Sequence, residues 1–132
     1  MPLLLDAGVW VAAASPTESF HAEADALIEA RDPVAALDLT LFEVANVVGA
    51  VRGQPKRARL LLETLMTRCR DQIVRVDSEL IMAGLDHSSA HGLTAYDAAY
   101  VAVAQRYGWT LVSTDIVDLV SHGLAVAPDA AV

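Results

Sequence analysis

Cysteines and long apolar runs are scarce in this chain, and both absences restrict its class. Cys69 is the only cysteine among 132 residues, which excludes an internal disulfide and is typical of proteins in a reducing cytoplasm. Its neighbours Arg68 and Arg70 favour a lowered thiol pKa, although no catalytic triad pattern surrounds it. No uncharged apolar stretch approaches the roughly 18 residues of a membrane span, and no basic stretch opens a signal peptide. We therefore expect a cytoplasmic protein without membrane association.

Several sequence motifs of nucleotide and zinc chemistry are also missing. The chain has neither a G-x-G-x-x-G pattern nor a P-loop, so it is not predicted to bind nucleotides in those ways. His87 and His91 have the i, i+4 spacing of zinc ligands on a helix. Gly92 follows immediately and no cysteine cluster accompanies them, so an ordinary helix end is the better interpretation.

Positive charge is scarce, and most of it lies in one segment. The net charge of −8 argues at first sight against binding to nucleic acid. Seven of the nine basic residues, however, lie between Arg52 and Arg75, where only Glu63 and Asp71 oppose them. This segment is either a solvated helix face or an edge that contacts phosphate beside an acidic pocket. In the second interpretation the candidate nucleic-acid contacts are Arg52, Lys56, Arg57 and Arg59.

Apolar residues are abundant, at 55% of the chain, and they fall into short runs between helical stretches. The predicted strands are Pro2–Asp6, Val34–Leu39, Ile73–Val76, Thr110–Thr114 and Leu124–Ala127. The predicted helices are Ala7–Ala14, Thr17 or Glu18 to Ala30, Thr40–Arg52, Lys56–Arg70, Asp77 or Ser78 to Ser89, Thr94–Tyr107 and Asp115–Val120. This alternation favours an α/β fold with a mostly parallel sheet. No linker is evident, and the apolar surplus predicts an exposed patch for a partner or a second copy.

Four acidic residues each stand where an apolar run gives way to a helix. They are Asp6 after Leu3–Leu5, Glu43 after Leu39–Phe42, Asp97 after Leu93–Tyr96 and Asp115 after Leu111–Thr114. Because the strand ends of an open α/β sheet line one crevice, we expect these carboxylates to converge there. Such a set suits a hard divalent cation, Mg²⁺ or Mn²⁺.

Each of the four acids also has a local explanation at a helix start. Asp6 and Asp115 are placed to accept backbone N–H groups as N-caps, and Thr40 with Glu43 has the pattern of a capping box. Asp97 and Glu43 are nevertheless flanked by apolar residues, and a buried carboxylate needs a cation or several donors. Capping and metal binding are compatible, because a helix N-terminus favours the ionised form that a metal ligand requires.

Three further polar residues lie near these acids in the sequence. Asn46 follows Glu43 by one helical turn and either orients a carboxylate or packs as an ordinary amide. Thr114 either contacts phosphate or closes the strand before Asp115. Asp118, one turn after Asp115, is either a fifth acid near the metal or a side chain that faces solvent.

Four segments, taken in order, carry a resemblance that covers essentially the whole chain. They are LLLDAGV at 3–9, LTLFEVAN at 39–46, LTAYDAAYVAVA at 93–104, and LVSTD at 111–115 followed by Asp118. In this order and spacing the chain resembles the PIN-domain ribonucleases, and within them the VapC-type toxins of toxin–antitoxin pairs. The resemblance implies a single PIN-like domain over residues 1–132, a three-layer α/β/α sandwich with a mostly parallel central sheet.

The same resemblance implies an activity, a cofactor and partners. The expected protein is an endoribonuclease that hydrolyses phosphodiester bonds in tRNA, rRNA or mRNA and depends on Mg²⁺ or Mn²⁺. Its catalytic and metal-binding residues would be Asp6, Glu43, Asp97 and Asp115. A homodimer and a cognate VapB-type antitoxin are also implied. One position departs from the family, which usually has Ser or Thr where Gly8 stands, and this predicts lower activity or a water in place of the hydroxyl.

Two other interpretations stay open at this point. A catalytically weak or inactive PIN-like binding module, which pairs with an antitoxin or RNA, is favoured by Gly8. A phosphatase of the haloacid-dehalogenase type would use Asp6 as its nucleophile, but it needs a second Asp at the position of Gly8. Titration with Mn²⁺ separates the binding module from the nuclease.

Overall fold

The computed structural model describes residues 1–132 as a four-stranded sheet flanked by helices. The strands are β1 (Leu3–Leu5), β2 (Val34–Leu37), β3 (Ile73–Val74) and β4 (Thr110–Val112). The α-helices are α1 (Ala7–Ala14), α2 (His21–Glu29), α3 (Asp38–Val44), α4 (Pro55–Cys69), α5 (Ser78–His91), α6 (Ala95–Tyr107) and α7 (Pro128–Ala131). Two π-helical segments, Ala45–Val51 and Ile116–Val120, follow α3 and β4. None of the helices combines the length and the apolar character needed to cross a membrane.

The sheet is parallel throughout and has the order β3-β2-β1-β4. The chain therefore moves outward on one side of β1 and then returns to add β4 on the other side. Such a reversal opens a crevice at the carboxyl ends of the adjacent strands β1 and β4. Asp6 directly follows β1, and Asp115 lies three residues after the end of β4, so this topology brings both acids to the crevice.

Alternate strand residues point to opposite faces of the sheet and build two separate apolar clusters. Leu4 and Leu111 pack with Tyr100 in the cluster beneath α5 and α6. Leu5 and Val112 pack with Trp10 in the cluster beneath α1, α2 and α4. Helices thus cover both faces, which confirms the predicted three-layer α/β/α sandwich with a parallel sheet.

The start of α3 differs from the prediction. Strand β2 ends at Leu37 and the helix begins at Asp38, two residues before the predicted cap. Asp38 Oδ1 accepts a hydrogen bond from the N–H of Val76 at 3.3 Å, which fixes this residue to the segment after β3. Thr40 therefore lies in the first turn, where its hydroxyl accepts from the N–H of Leu37 at 3.0 Å. The predicted capping box of Thr40 with Glu43 is wrong.

Two other element boundaries also differ from the sequence prediction. Helix α2 begins only at His21, because Phe20 adopts a left-handed conformation with φ 65° that ends any earlier helical turn. The predicted final strand, Leu124–Ala127, is reduced to one bridge between Val112 and Val126. The small offsets at the other helix ends are ordinary end effects.

Candidate functional site

Three carboxylates form a close group at the carboxyl end of the sheet. One oxygen from each of Asp97, Asp115 and Asp118 lies within 4.8 Å of the other two. Thr94 caps α6 by accepting the N–H of Asp97 at 3.1 Å, which sets this acid in the first helical turn. Asp115 caps the π-helical segment by accepting the N–H of Asp118 at 3.0 Å. Local capping thus places all three members of this carboxylate cluster.

Asp6 lies beside the cluster and is almost completely buried, with 8% of its surface exposed. Its Oδ1 accepts the N–H of Val9 at 3.2 Å, so it is the predicted N-cap of α1. Its Oδ2 accepts the hydroxyl of Ser113 at 2.5 Å, and Ser113 Oγ in turn accepts the N–H of Asp115 at 2.9 Å. Ser113 therefore connects the segments that follow the adjacent strands β1 and β4, together with the acids Asp6 and Asp115 that these segments carry.

Glu43 is held by a chain of hydroxyl groups. Its Oε1 accepts the phenol hydroxyl of Tyr100 at 2.7 Å. Tyr100 contacts Thr40 Oγ1 at 2.7 Å, and Thr40 accepts the N–H of Leu37 at 3.0 Å. Because Tyr100 has one hydroxyl proton and donates it to Glu43, Thr40 is the donor to Tyr100. The chain fixes Glu43 from the buried side and leaves its second oxygen free.

The surroundings of Asp6, Glu43 and Asp97 raise the pKa of each of these three carboxyl groups. Burial raises the pKa of Asp6 to about 7 against the opposing bonds from Ser113 and Val9, and repulsion from Asp97 and Glu43 adds to the rise. Burial also raises the pKa of Glu43, and Asp97 contributes. Burial and the nearby Asp115 and Asp118 raise the pKa of Asp97. None of the four predicted acids forms an ion pair with a basic side chain, so the opposing charge would have to come from a bound cation.

The four predicted acids lie near enough to influence one another's charge, but only two of them are close enough to share one cation directly. Asp97 and Asp115 are within coordination reach of each other, whereas Asp6 and Glu43 lie outside the 4.8 Å group and interact with Asp97 through charge. Asp118 joins the close group, although the sequence analysis left it between a metal-proximal and a solvent-facing side chain. Their roles as metal ligands stay predictions.

A cavity of about 420 Å³ opens next to Glu43. Its walls include Gly8, Thr114 and Arg52, so two predicted positioning or contact residues do reach the site. Asn46 is exposed on the π-helical segment and makes no hydrogen bond to Glu43. The predicted orienting role of Asn46 therefore has no contact to support it.

The basic residues between Arg52 and Arg75 have different contacts in the structure. Arg52 forms an ion pair with Glu18 at 2.5 Å on the wall of this cavity. Arg68 donates hydrogen bonds to the backbone oxygens of Ile28, Ala30 and Asp32 at 2.6–3.0 Å. It therefore caps the C-terminal end of α2 and has a structural role. Three basic side chains on α4, Lys56, Arg57 and Arg59, are exposed and do not line this cavity.

Two other groups that the sequence analysis considered, the thiol of Cys69 and the pair His87 and His91, have ordinary structural roles. Cys69 is buried in the core, and burial raises the pKa of its thiol to about 12, because desolvation outweighs the attraction of Arg68. The predicted lowering of this pKa is wrong. His87 and His91 stack with their ring centroids 6.1 Å apart, and no third potential ligand joins them in a metal group.

Sequence reasoning missed Tyr100 and Thr40 as parts of the site. Tyr100 is three residues after Asp97 and Thr40 is three residues before Glu43, so both share a helical face with a predicted acid. That spacing is a usable signal, but the contact between the two hydroxyl groups spans 60 residues and depends on how α3 and α6 are placed relative to each other in the fold.

The donor set fits a hard divalent cation. Carboxylate oxygens are the ligands that Mg²⁺ and Mn²⁺ prefer, and several acids with raised pKa values in one crevice require a positive partner to ionise together. Asp97 and Asp115 lie closest to each other, and the buried Asp6 and the half-buried Glu43 lie beside them.

Comparison with known proteins identifies the family of the chain. The profile of the PIN domain matches residues 3–117. Ribonuclease VapC3 of Pyrobaculum aerophilum is 33% identical over 119 residues, which cover 87% of this chain and 90% of that protein.

Solved structures give the same result for the fold. The crystal structure of PAE2754 from Pyrobaculum aerophilum has a TM-score of 0.74 at 26% identity, over 99% of this chain and 86% of that one. A toxin–antitoxin complex from Klebsiella pneumoniae contains a chain with a TM-score of 0.71 at 22% identity, over 96% of this chain and 97% of that one. With a matching profile over most of its length and a relative at this level of identity, the chain belongs to the PIN domain family.

Proposed function

We propose that this protein is a Mg²⁺- or Mn²⁺-dependent endoribonuclease and the toxin of a toxin–antitoxin pair. The observation that carries the proposal is the carboxylate cluster of Asp97, Asp115 and Asp118 with the buried Asp6 beside it. The similar Pyrobaculum protein is named a ribonuclease, and the similar Klebsiella chain comes from a toxin–antitoxin complex, which supports both halves of the proposal.

The proposed metal ligands are Asp6, Glu43, Asp97 and Asp115, with Asp118 as a fifth acid within reach. A bound divalent cation would supply electrostatic stabilisation of the charge that develops on phosphate and an activated hydrolytic water. The protein's own contribution is to hold the acids still. Ser113 restrains Asp6, and Tyr100 restrains Glu43, so little reorganisation is needed when the cation binds.

The proposed substrate is single-stranded or looped RNA, of the tRNA, rRNA or mRNA class. A phosphate must enter the cavity beside Glu43, and an unpaired strand does this more easily than a rigid duplex. Arg52 is the basic residue on the wall of that cavity, so it is the proposed phosphate contact nearest the acids. The outer contacts proposed along α4 are Lys56, Arg57 and Arg59.

The proposed partners are a VapB-type antitoxin and a second copy of the chain. A groove of about 420 Å³ between α3, α5 and α6 is lined by large apolar side chains that include Phe42, Ile81, Leu85 and Tyr96. Each of these four is more than half exposed. Apolar groups of this size clustered on one face favour an interface, and we assign it to a homodimer. We propose that the chain acts as one domain in the reducing cytoplasm, where Cys69 stays unpaired.

The decisive experiment is RNA cleavage with purified protein. A pool of structured RNAs is incubated with Mg²⁺, with Mn²⁺ or with EDTA, using wild type, Asp97→Asn and the exposed control Asp86→Asn. We expect cleavage by wild type and Asp86→Asn only when metal is present, and none by Asp97→Asn. Cleavage that persists in EDTA, or in Asp97→Asn, would contradict the proposal.

A genetic experiment tests whether the protein acts as the toxin of a toxin–antitoxin pair. Induced expression should arrest growth, and co-expression of the product of a short reading frame next to this gene should relieve the arrest. Asp97→Asn should not arrest growth while still binding that product in a pull-down. A wild-type chain that binds the antitoxin but neither binds Mn²⁺ nor cleaves RNA would instead support the inactive binding module.

A further inference from the structure

Gly8 and Thr114 lie so close together that any side chain at position 8 would have to displace the Thr114 hydroxyl. A Cβ atom built on Gly8 would lie 2.3 Å from Thr114 Oγ1, far inside the distance at which real Cβ atoms are found. The backbone does not require glycine here, because Gly8 is not among the glycines with positive φ. Space, rather than conformation, is therefore what the glycine provides.

The hydroxyl that fills this space lies beside a proposed metal ligand. The same built Cβ position is 3.4 Å from Asp6 Oδ1, so Thr114 Oγ1 and Asp6 Oδ1 flank one small volume. Asp6 accepts one N–H and one hydroxyl from the protein, and a carboxylate has further acceptor sites that stay free for a cation. No hydrogen bond engages the Thr114 hydroxyl within the chain, and this half-buried residue lines the cavity that also reaches Glu43.

We propose that Gly8 and Thr114 form a complementary pair in which the absent side chain of Gly8 admits the Thr114 hydroxyl as a positioning group at Asp6. The inference rests on the proposed function, because it presupposes a divalent cation at the acids. Mg²⁺ keeps several waters when it binds to proteins, and these waters need hydrogen-bond partners. The Thr114 hydroxyl, which both donates and accepts, is such a partner for the hydration shell of a cation held by Asp6.

This pairing changes how Gly8 is interpreted. The position was expected to lack a hydroxyl and to weaken the site or admit a water. The structure has a hydroxyl at that place, but it comes from Thr114, two residues after β4, rather than from residue 8. The binding-module interpretation thereby loses the observation that favoured it.

The test is an exchange of the hydroxyl between the two positions, with Mn²⁺ affinity measured by calorimetry. Thr114→Val removes the hydroxyl and should weaken Mn²⁺ binding by about tenfold, in the range found for groups that support metal ligands. Thr114→Ser keeps the hydroxyl and should bind nearly as wild type. Gly8→Ala should weaken binding because its Cβ displaces the hydroxyl. The double variant Gly8→Ser with Thr114→Ala returns a hydroxyl from the other side and should recover most of the loss.

Two controls keep the result interpretable. Gly8→Ala with Thr114→Ala removes both clash and hydroxyl, so it should fold normally and bind no more tightly than Thr114→Ala alone. The Mn²⁺ EPR spectrum should differ between Thr114→Val and Thr114→Ser, because only one of them retains the hydroxyl. The inference is overturned if Thr114→Val binds as wild type, or if the exchange restores nothing. Wild type that fails to bind Mn²⁺ at all would overturn the proposed function itself.

Discussion

The hydroxyl of Tyr100 donates a 2.7 Å hydrogen bond to Oε1 of Glu43 and so connects the buried face of α6 to the acid on α3. Tyr100 is 1% exposed, and its own oxygen is supported by Thr40 at 2.7 Å. A proposed ligand that would otherwise rotate freely is thereby restrained from inside the core. Tyr100 thus belongs to the apolar core through its ring and to the acidic crevice through its hydroxyl group.

Removal of this hydroxyl in Tyr100→Phe should weaken both the site and the fold. Glu43 loses its restraint, and the buried Thr40 hydroxyl loses its acceptor, which costs on the order of 1–3 kcal/mol of unfolding free energy. Mn²⁺ affinity should fall by about tenfold. Urea unfolding and calorimetry measure the two effects. Tyr107→Phe, on an exposed residue that stacks on Trp109, is the matched control and should change neither.

The metal-free protein should be more stable at pH 5 than at pH 8. The Asp6 pKa is raised from 3.8 to about 7, so the folded state binds a proton more tightly than the unfolded state. That stabilisation is complete below about pH 4 and is lost as the pH rises through 7, which amounts to about 2–3 kcal/mol between pH 5 and 8. Urea unfolding in EDTA measures it. An equal pH dependence in Asp6→Asn would contradict this assignment.

Asp97→Asn should stabilise the protein without metal and abolish its stabilisation by metal. The charge of Asp97 raises the pKa of both Asp6 and Glu43, so the amide relieves repulsion in the empty crevice. Wild type should gain about 2.7 kcal/mol when Mn²⁺ is present at 100 times its dissociation constant. Thermal unfolding with EDTA and with Mn²⁺ should therefore rank the two proteins in opposite orders. The same order under both conditions would argue against a cation at Asp97.

Arg68→Ala should destabilise the fold, whereas Arg59→Ala should not. Arg68 binds three backbone oxygens at the end of α2, and hydrogen bonds from a charged group contribute about 1.5–3 kcal/mol each at most. We expect a loss of roughly 2 kcal/mol in urea unfolding for Arg68→Ala. Arg59 is exposed on α4, so its replacement should alter RNA affinity at low salt and leave stability unchanged. A stable Arg68→Ala would contradict its structural assignment.

The features that local rules govern were predictable from the sequence. Asp6 and Asp115 accept backbone N–H groups at helix starts, as their positions before those helices predict. The alternation of strands and helices predicted the parallel sheet, because each short apolar run has to be covered on both faces. Thr40 and Glu43 were misassigned as a capping box because Asp38, held by Val76 from another part of the chain, starts the helix earlier.

The amino-acid sequence by itself determined which residues carry charge, which helices they begin, and that parallel strands bring several of them to one end of the sheet. Tertiary structure alone decided that Asp118 joins Asp97 and Asp115, that Tyr100 reaches Glu43, and that Thr114 fills the space at Gly8. Capping and periodicity act over three or four residues, so the sequence displays them. Contacts across tens of residues depend on how the helices pack on the sheet, and no local pattern encodes that packing.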